Sequence, residues 1–423
     1  MKKRIYRAVN VKDVSFEALF RAVEGKRIVV GIDVAKEVFY AALMSEAPEV
    51  CTIVKWNHPK QTRQFVGLLK ALAASCLDVA MEPSGTYGDA LRFLLFDSGI
   101  PVFRVSAKRT HDAAEVFDGV PSKHDPKDAV IVARLQLDGL SEPWPLRSEQ
   151  ERDLAAGVNT MSFFSDQFQQ NICRLEGKLA RHWPEVTSLL KLGSKTLLCL
   201  LRDVGDPAFV AKATEKSRSV MRRAGGNFLC SEKIDAVIAS AGHTLGVPLT
   251  AGERRALAVL AGDALRARSE KQKAEVHLKH LCRSDPSICA MGKVVGQTTA
   301  AVLFCCVGDP NHFAGAAAYE KCAGLNIKER SSGRYQGKRK ITKRGSGMAR
   351  KWLFLATLRL IRDCPEVRAW YERKIQRDGG KHKKSGVVAV MRKLIQALWH
   401  VGRGEAFDPA RMYNQNLLSL DRT

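Results

Sequence analysis

The 423-residue sequence predicts an α/β domain in its first third, then a helical arm, then a mostly α-helical C-terminal part. Three observations carry this expectation. Short apolar runs ending in acidic residues alternate with helix-like segments as far as residue 145. From 148 to 285 apolar residues recur at spacings of three and four, and from 286 to 405 the chain is helical, basic and punctuated by glycine. Strands alternating with helices favour a mixed sheet covered by helices.

Taken in order, RIVVGID (27–33) is a buried strand ending in a carboxylate, and VFYAALM (38–44) returns beside it antiparallel. CLDVAME (76–82) is a second strand ending in an acid, and TYGDALRFLLFDSG (86–99) is a helix closed by Gly99. PVFRVS (101–106) reads as another strand and DPKDAVIVARLQLDG (125–139) as a helix stopped by Gly139. In SEPWPLR (141–147) two prolines exclude helix and mark a linker. Residues 148–182 form one long helix, 186–262 several short amphipathic ones separated by Gly and Pro, and 262–283 a long charged helix. This is a paired-helix arm carrying a small helical module. The division expected is an N-terminal basic extension (1–25), the α/β domain (26–145), the arm (146–285, with the module at about 186–262), a C-terminal domain (286–405) and a loose tail (406–423).

Charge narrows the partner. With 68 Lys and Arg against 44 Asp and Glu, the net charge is +24, and each phosphate such a chain neutralises releases condensed counterions. No apolar run approaches the roughly 20 residues that span a bilayer. The N-terminal MKKRIYRAVNVKDV lacks the apolar stretch of a signal peptide. A cytoplasmic, nucleoid-associated protein that meets nucleic acid and no membrane is therefore expected. The eleven cysteines are scattered without a CxxC pair, and read as buried small hydrophobes in a reducing compartment.

Four carboxylates stand out. Asp33 and Glu82 end two strands, at the sheet edge where open α/β folds bind ligands. Asp125 and Asp128, spaced i,i+3, share one face at a helix start. Such a set can converge on two Mg²⁺ ions about 4 Å apart, clamping the attacking and leaving oxygens of a phosphodiester. Mg²⁺ favours carboxylates and water, with Mn²⁺ as a substitute. Each acid also has an ordinary structural role open to it. Asp125 before Pro126 suits a helix N-cap, Asp128 complements the helix dipole, Asp33 closes a strand and Glu82 can pair with a lysine.

Between Lys328 and Lys351 there are ten Lys/Arg and one acidic residue, too unbalanced for surface ion pairing. Lys338, Arg339, Lys340, Lys343, Arg344 and Arg350 are the expected phosphate contacts. Such contacts position a nucleic acid and carry no sequence information. The same stretch holds Ser331 and Ser332 in an SSG triplet that also suits an ordinary turn. A serine hydroxyl needs activation to attack. No histidine lies between His312 and His382, so the distant acids are the candidates for that role.

GIDVAK (31–36), MEPSGTYG (81–88) and KHDPKDAVIVARL (123–135) resemble the three acidic motifs of the DEDD transposases, the insertion-sequence-110 family related to the Piv DNA invertases. The segment from Met291 to Leu353 resembles that family's C-terminal transposase domain, including its AGL and SG elements. The resemblance implies an N-terminal domain like that of the RuvC junction resolvase, an RNase H-like fold, with metal held by Asp33, Glu82, Asp125 and Asp128. It implies that the serine directly before the glycine, Ser332, is the nucleophile, Ser331 being its neighbour. The activity implied is that of a bacterial insertion-sequence recombinase, cutting and rejoining donor and target DNA through a serine-linked intermediate. A structured bridge RNA as guide and a symmetric homo-oligomer, dimer or tetramer, are implied with it. Two other functions fit the residues alone: a junction nuclease using water as nucleophile, and a non-catalytic nucleic-acid-binding protein.

Overall fold

The computed structural model describes residues 6–47, 49–72, 74–116, 124–329, 331–332, 335–337 and 339–413. The chain divides into two compact units, 1–147 and 148–423.

The first unit is built on a seven-stranded sheet in the order β1-β4-β3-β2-β5-β6-β7. Its strands are β1 (Ala8–Asn10), β2 (Arg27–Asp33), β3 (Val38–Ser45), β4 (Val50–Asn57), β5 (Cys76–Met81), β6 (Val102–Arg104) and β7 (Glu142–Pro143). Its helices are α1 (Phe16–Val23), α2 (Thr62–Ala71), α3 (Asp89–Asp97), α4 (Ala107–Ala113) and α5 (Asp125–Leu137). Central β2 is antiparallel to β3 and parallel to β5, so the sheet is mixed, as expected. β2 reads as an unbroken apolar run because both its faces are buried. On one face Ile28, Val30 and Ile32 join Phe39, Leu43, Trp56, Phe65 and Leu91 in the main core. On the other, Val29 packs with Met44 and Ala133, and Ala42 with Ile53 and Ala129, under α5.

Gly31 sets how closely α5 approaches. A Cβ there would overlap the Ala133 backbone nitrogen and the Ala129 carbonyl oxygen. Only a residue without a side chain lets the helix lie this near the strand.

The expected strands and helices of this unit are present, with four differences, the first being α4 at Ala107–Ala113, where no element is expected. Residues 50–71 form β4 and α2, elements that no expectation from the sequence covers. Residues read as a basic extension supply β1 and α1, because Val11, Leu19 and Val23 are buried in the main core. The segment read as a linker opens with β7, paired to β6 through Arg104↔Glu142. Pro143 is tolerated there because β7 is an edge strand.

In the second unit α6 (Glu149–His182) and α12 (Ala251–Leu281) pack along each other. Each begins with a capping box, Ser148 with Glu151 and Thr250 with Glu253. The second arm helix therefore starts at Ala251, before the expected 262, and runs through Gly262. Between the arm helices lie α7 (Val186–Leu189), α8 (Lys195–Asp203), α9 (Pro207–Lys212), α10 (Thr214–Gly225) and α11 (Ser231–Gly242). They enclose a core of their own, with Trp183, Leu197, Leu201, Met221 and Ile234.

The rest comprises α13 (Pro286–Val295), α14 (Gln297–Val307), α15 (Ala316–Cys322), α16 (Gly347–Asp363), α17 (Pro365–Arg377) and α18 (Lys383–Gly402). These helices pack around Met291, Leu303, Tyr319, Leu353 and Leu394. The segment from 406, read as a loose tail, is packed as far as Tyr413. Met412 and Tyr413 are buried, and Tyr413 stacks on Trp370 at 4.7 Å. Among the described residues no helix is long and apolar enough to cross a membrane.

Candidate acidic site and serine hairpin

Strand register decides where the acids of the first unit point. β2 and β5 are parallel with Gly31 opposite Ala80 and Ile32 opposite Met81, so Asp33 and Glu82 follow as neighbours at the carboxyl ends of adjacent strands. Side chains two apart share a face. Asp33 therefore lies on the side of Gly31, under α5, and Glu82 on the side of Ala80, which packs with Ile131, Val132 and Leu135 of the same helix.

The direction of α5 brings its first turn to that edge. Its C-terminal Leu137 packs near Val29 and Met44, whereas Ala129 packs with Ala42, Ile53 and Tyr40. The helix thus runs against β2, and Asp125, one turn before Ala129, lies toward Tyr40 and Asp33. Asp128 lies one turn before Val132, on the β5 side. Tyr40, directly opposite Asp33 in the β2–β3 register, senses this convergence. Its phenol pKa is pushed up by burial first, and then by the negative charges of Asp125 and Asp33.

Two of the ordinary roles open to these acids are filled by other groups. His124 occupies the N-cap of α5, its Nδ1 accepting from the Lys127 backbone N–H at 3.3 Å, so Asp125 belongs to the first turn and is not the cap. Glu82 accepts from a threonine: the Thr110 hydroxyl lies 2.6 Å from Glu82 Oε2. The same hydroxyl lies 2.9 Å from the Ala107 carbonyl, and its one hydrogen serves one acceptor at a time. Sequence reasoning passed over both Tyr40 and Thr110. Tyr40 carries a signal only once the β2–β3 register is known, and Thr110 carries none.

Among the described residues no three His, Cys, Asp or Glu side chains close into a group that could hold a metal ion. The acids share one edge and one face without being drawn into a ligand cage. As a donor set they are all carboxylate oxygens, the chemistry that suits a hard divalent cation.

The serine lies in a small β structure of the second unit. β8 (Ile327–Lys328) pairs with β11 (Lys340–Ile341), and within that loop β9 (Ser331–Ser332) pairs with β10 (Tyr335–Gln336). Ser332 stands opposite Tyr335 and is exposed. The base is firmly tied: the Thr342 N–H donates to the Asn326 carbonyl and the Lys343 N–H to the Gly324 carbonyl, both at 2.9 Å. Gly324 and Gly345 have positive φ of 72° and 145°, and a Cβ on Gly324 would press on the Arg344 carbonyl and the Arg350 guanidinium.

The expected phosphate contacts divide here. Lys340, Lys343 and Arg344 are exposed around the hairpin. Arg339 is exposed but pairs with Glu329 at 3.1 Å. Arg350 has a structural tie of its own: its Nη1 donates to the carbonyls of Ala323 at 3.2 Å and Gly345 at 3.0 Å, tying the hairpin base to α16. Lys338 lies outside the described residues.

Comparison with known proteins gives two separate family matches. Residues 30–184 match the model of a DEDD transposase family described as "Transposase", and residues 292–372 match the "Transposase IS116/IS110/IS902 family". The chain is also similar to the insertion element IS110 uncharacterized 43.6 kDa protein of Streptomyces coelicolor, with 24% identity over 394 residues. That alignment covers 91% of this chain and 96% of the relative.

Proposed function

This chain belongs to the IS110 family of DEDD transposases, and from that premise we propose that it cuts and rejoins DNA with Ser332 as the attacking group. Asp33, Glu82, Asp125 and Asp128 would hold divalent metal, Mg²⁺ or Mn²⁺. The metal, when bound, supplies Lewis-acid stabilisation of the phosphoryl oxygens and lowers the cost of forming an alkoxide. The observation that most supports this reading is the register that makes Asp33 and Glu82 neighbours on the face covered by α5.

The chain's own groups account for the remaining steps. Ser332 Oγ attacks phosphorus; its bond to phosphorus forms as the bond to one sugar oxygen breaks, and the hydroxyl proton leaves while the departing oxygen gains one. A hydroxyl of a second strand then attacks the phosphoserine, forming a new phosphodiester and returning serine to its starting state. Bond energy is conserved in the ester, so rejoining needs no external energy source. Thr110 orients the Glu82 carboxylate through its hydrogen bond, and the exposed Lys340, Lys343 and Arg344 contact the DNA backbone.

Because phosphate contacts carry no base sequence, we assign target choice to a structured RNA encoded by the element, by the logic that delegates recognition to base pairing. Exchange among several DNA ends calls for a symmetric oligomer of this chain.

The test uses full-length protein with DNA carrying the element's ends. Wild type should yield a covalent protein–DNA adduct that Ser332→Ala abolishes, and Asp33→Asn should abolish both adduct and cleavage. Undiminished cleavage by Ser332→Ala would establish water as the nucleophile and end the serine assignment. Purified protein free of any protected RNA, yet fully active on DNA alone, would remove the guide.

A further inference from the structure

The row of side chains crossing the sheet beside the acids continues past Asp33. Asp33 faces Tyr40 across the β2–β3 pair, Tyr40 faces Lys55 across the β3–β4 pair, and Lys55 lies beside Asn10 in the β4–β1 pair. Residues directly opposite in a ladder share a face, so this is one row on the α5 side. The core assignments agree. Ile53, two before Lys55, lies under α5 with Ala42 and Ala129, whereas Val54 and Trp56 lie in the core on the other side.

Each position in the row differs in what it offers. Asn10 is occupied: its Oδ1 accepts from the Lys12 N–H at 3.1 Å and from Gln61 Nε2 at 3.3 Å. Lys55 is half-buried at the sheet edge, and among the described residues no ion pair takes up its ammonium. Tyr40 packs against the residues under α5, directly opposite Asp33 and within reach of the charges of Asp125 and Asp33. Lys55 sits two strand spacings, about 10 Å, from Asp33.

A phosphate strand approaching four carboxylates is repelled. Metal relieves that at the scissile phosphate, but the phosphates beside it need donors of their own. We propose that Tyr40 and Lys55 are the substrate-positioning residues that supply them, seating the cut DNA strand along this row. Tyr40 O–H donates to a non-bridging oxygen at or next to the scissile phosphate, and the Lys55 ammonium holds the following one. This rests on the acids of the first unit being the cutting site.

The experiment measures cleavage by the full-length protein in the complete reaction that supports wild-type cutting, with DNA binding followed separately in Ca²⁺. Tyr40→Phe removes one hydroxyl and should slow the saturated cleavage step by about tenfold or more, with binding in Ca²⁺ unchanged within about twofold. Lys55→Gln should raise the half-saturating DNA concentration by about tenfold, equivalent to about 1.4 kcal/mol, and leave the saturated rate near wild type. Lys55→Arg should restore most of the loss, which a merely structural lysine would not predict. Wild-type rate and half-saturation in Tyr40→Phe and Lys55→Gln, beside an inactive Asp33→Asn, overturn this inference and leave the acidic site standing. Full activity of Asp33→Asn overturns the acidic-site reading itself. Losses that merely track the fraction of folded protein, followed by thermal unfolding, also overturn the inference.

Discussion

The acidic edge and the serine hairpin are built in opposite ways. The acids sit at the ends of strands buried on both faces and at the start of a helix pressed onto glycine, so their backbone positions are dictated by a packed core. Ser332 sits on a two-residue strand, exposed, on a hairpin whose base is tied through Gly324, Gly345 and Arg350. Metal ligation demands fixed geometry and suits rigid elements, whereas a group that must reach a phosphate and later release it suits a projecting loop. On the proposed function, the difference teaches that the two regions should fail in different ways.

The largest effect tests whether both regions carry chemistry at all. Glu82→Gln and Ser332→Ala should each lower strand cleavage by about 10³-fold or more, the scale lost when a transition-state contact disappears. Neither should lower the thermal midpoint, because Glu82 lies at a sheet edge and Ser332 is exposed. A cleavage assay paired with a melt distinguishes the two contributions. A Ser332→Ala protein that melts normally and cuts normally would erase the contrast, leaving the hairpin as a surface feature.

A smaller effect sharpens the claim that the acidic edge is held by packing. Gly31→Ala places a methyl group against the backbone of Ala129 and Ala133, and overpacking of this sort costs about 1–3 kcal/mol. The expected result is a lower denaturant midpoint for the first unit, with cleavage lost as α5 shifts and carries Asp125 and Asp128 with it. Gly177→Ala is the control. It lies within α6 with open space around the added methyl, and should stabilise the second unit by up to about 1 kcal/mol. Equal midpoints for wild type and Gly31→Ala would show that α5 is free to move away from β2.

How much of this could be read beforehand follows from the same physics. β2, β3, β5 and α5 were legible because they are buried, and burial writes apolar runs and helical spacing into the sequence. The four acids were legible as strand ends and as an i,i+3 pair. β4 was not: in VCTIVKWN a register shift puts Cys51 against the main core while Val50 and Ile53 lie under α5, and the half-buried Lys55 further breaks the apolar alternation. Tyr40 looked like another apolar strand residue, and its place opposite Asp33 depends on a register no local pattern specifies. His124 displaced Asp125 from the cap because a histidine ring nitrogen can accept the same N–H, an option outside the usual Ser, Thr, Asp and Asn set. Charge alone groups Arg350 with the phosphate contacts, and charge does not show that its Nη1 already donates to two carbonyls.

That last point gives the smallest and most discriminating effect. Each lysine or arginine contacting a phosphate steepens the fall of binding with salt, so removing one should flatten the slope of log affinity against log salt by about 1. Lys340→Ala and Arg344→Ala, both exposed on the hairpin side, should show that change and bind more weakly across all DNA sequences. Arg350→Met should keep the slope, because its guanidinium already donates to the Ala323 and Gly345 carbonyls. Its cost falls on the hairpin, where two charge-assisted bonds worth about 1.5–3 kcal/mol each in favourable cases are lost, and it should appear as reduced adduct formation at unchanged salt dependence. A slope that flattens in Arg350→Met as it does in Lys340→Ala would mean that Arg350 leaves its carbonyls for a phosphate when DNA binds. The hairpin base would then be part of the binding surface, and the contrast between a tied base and an exposed serine would have to be redrawn.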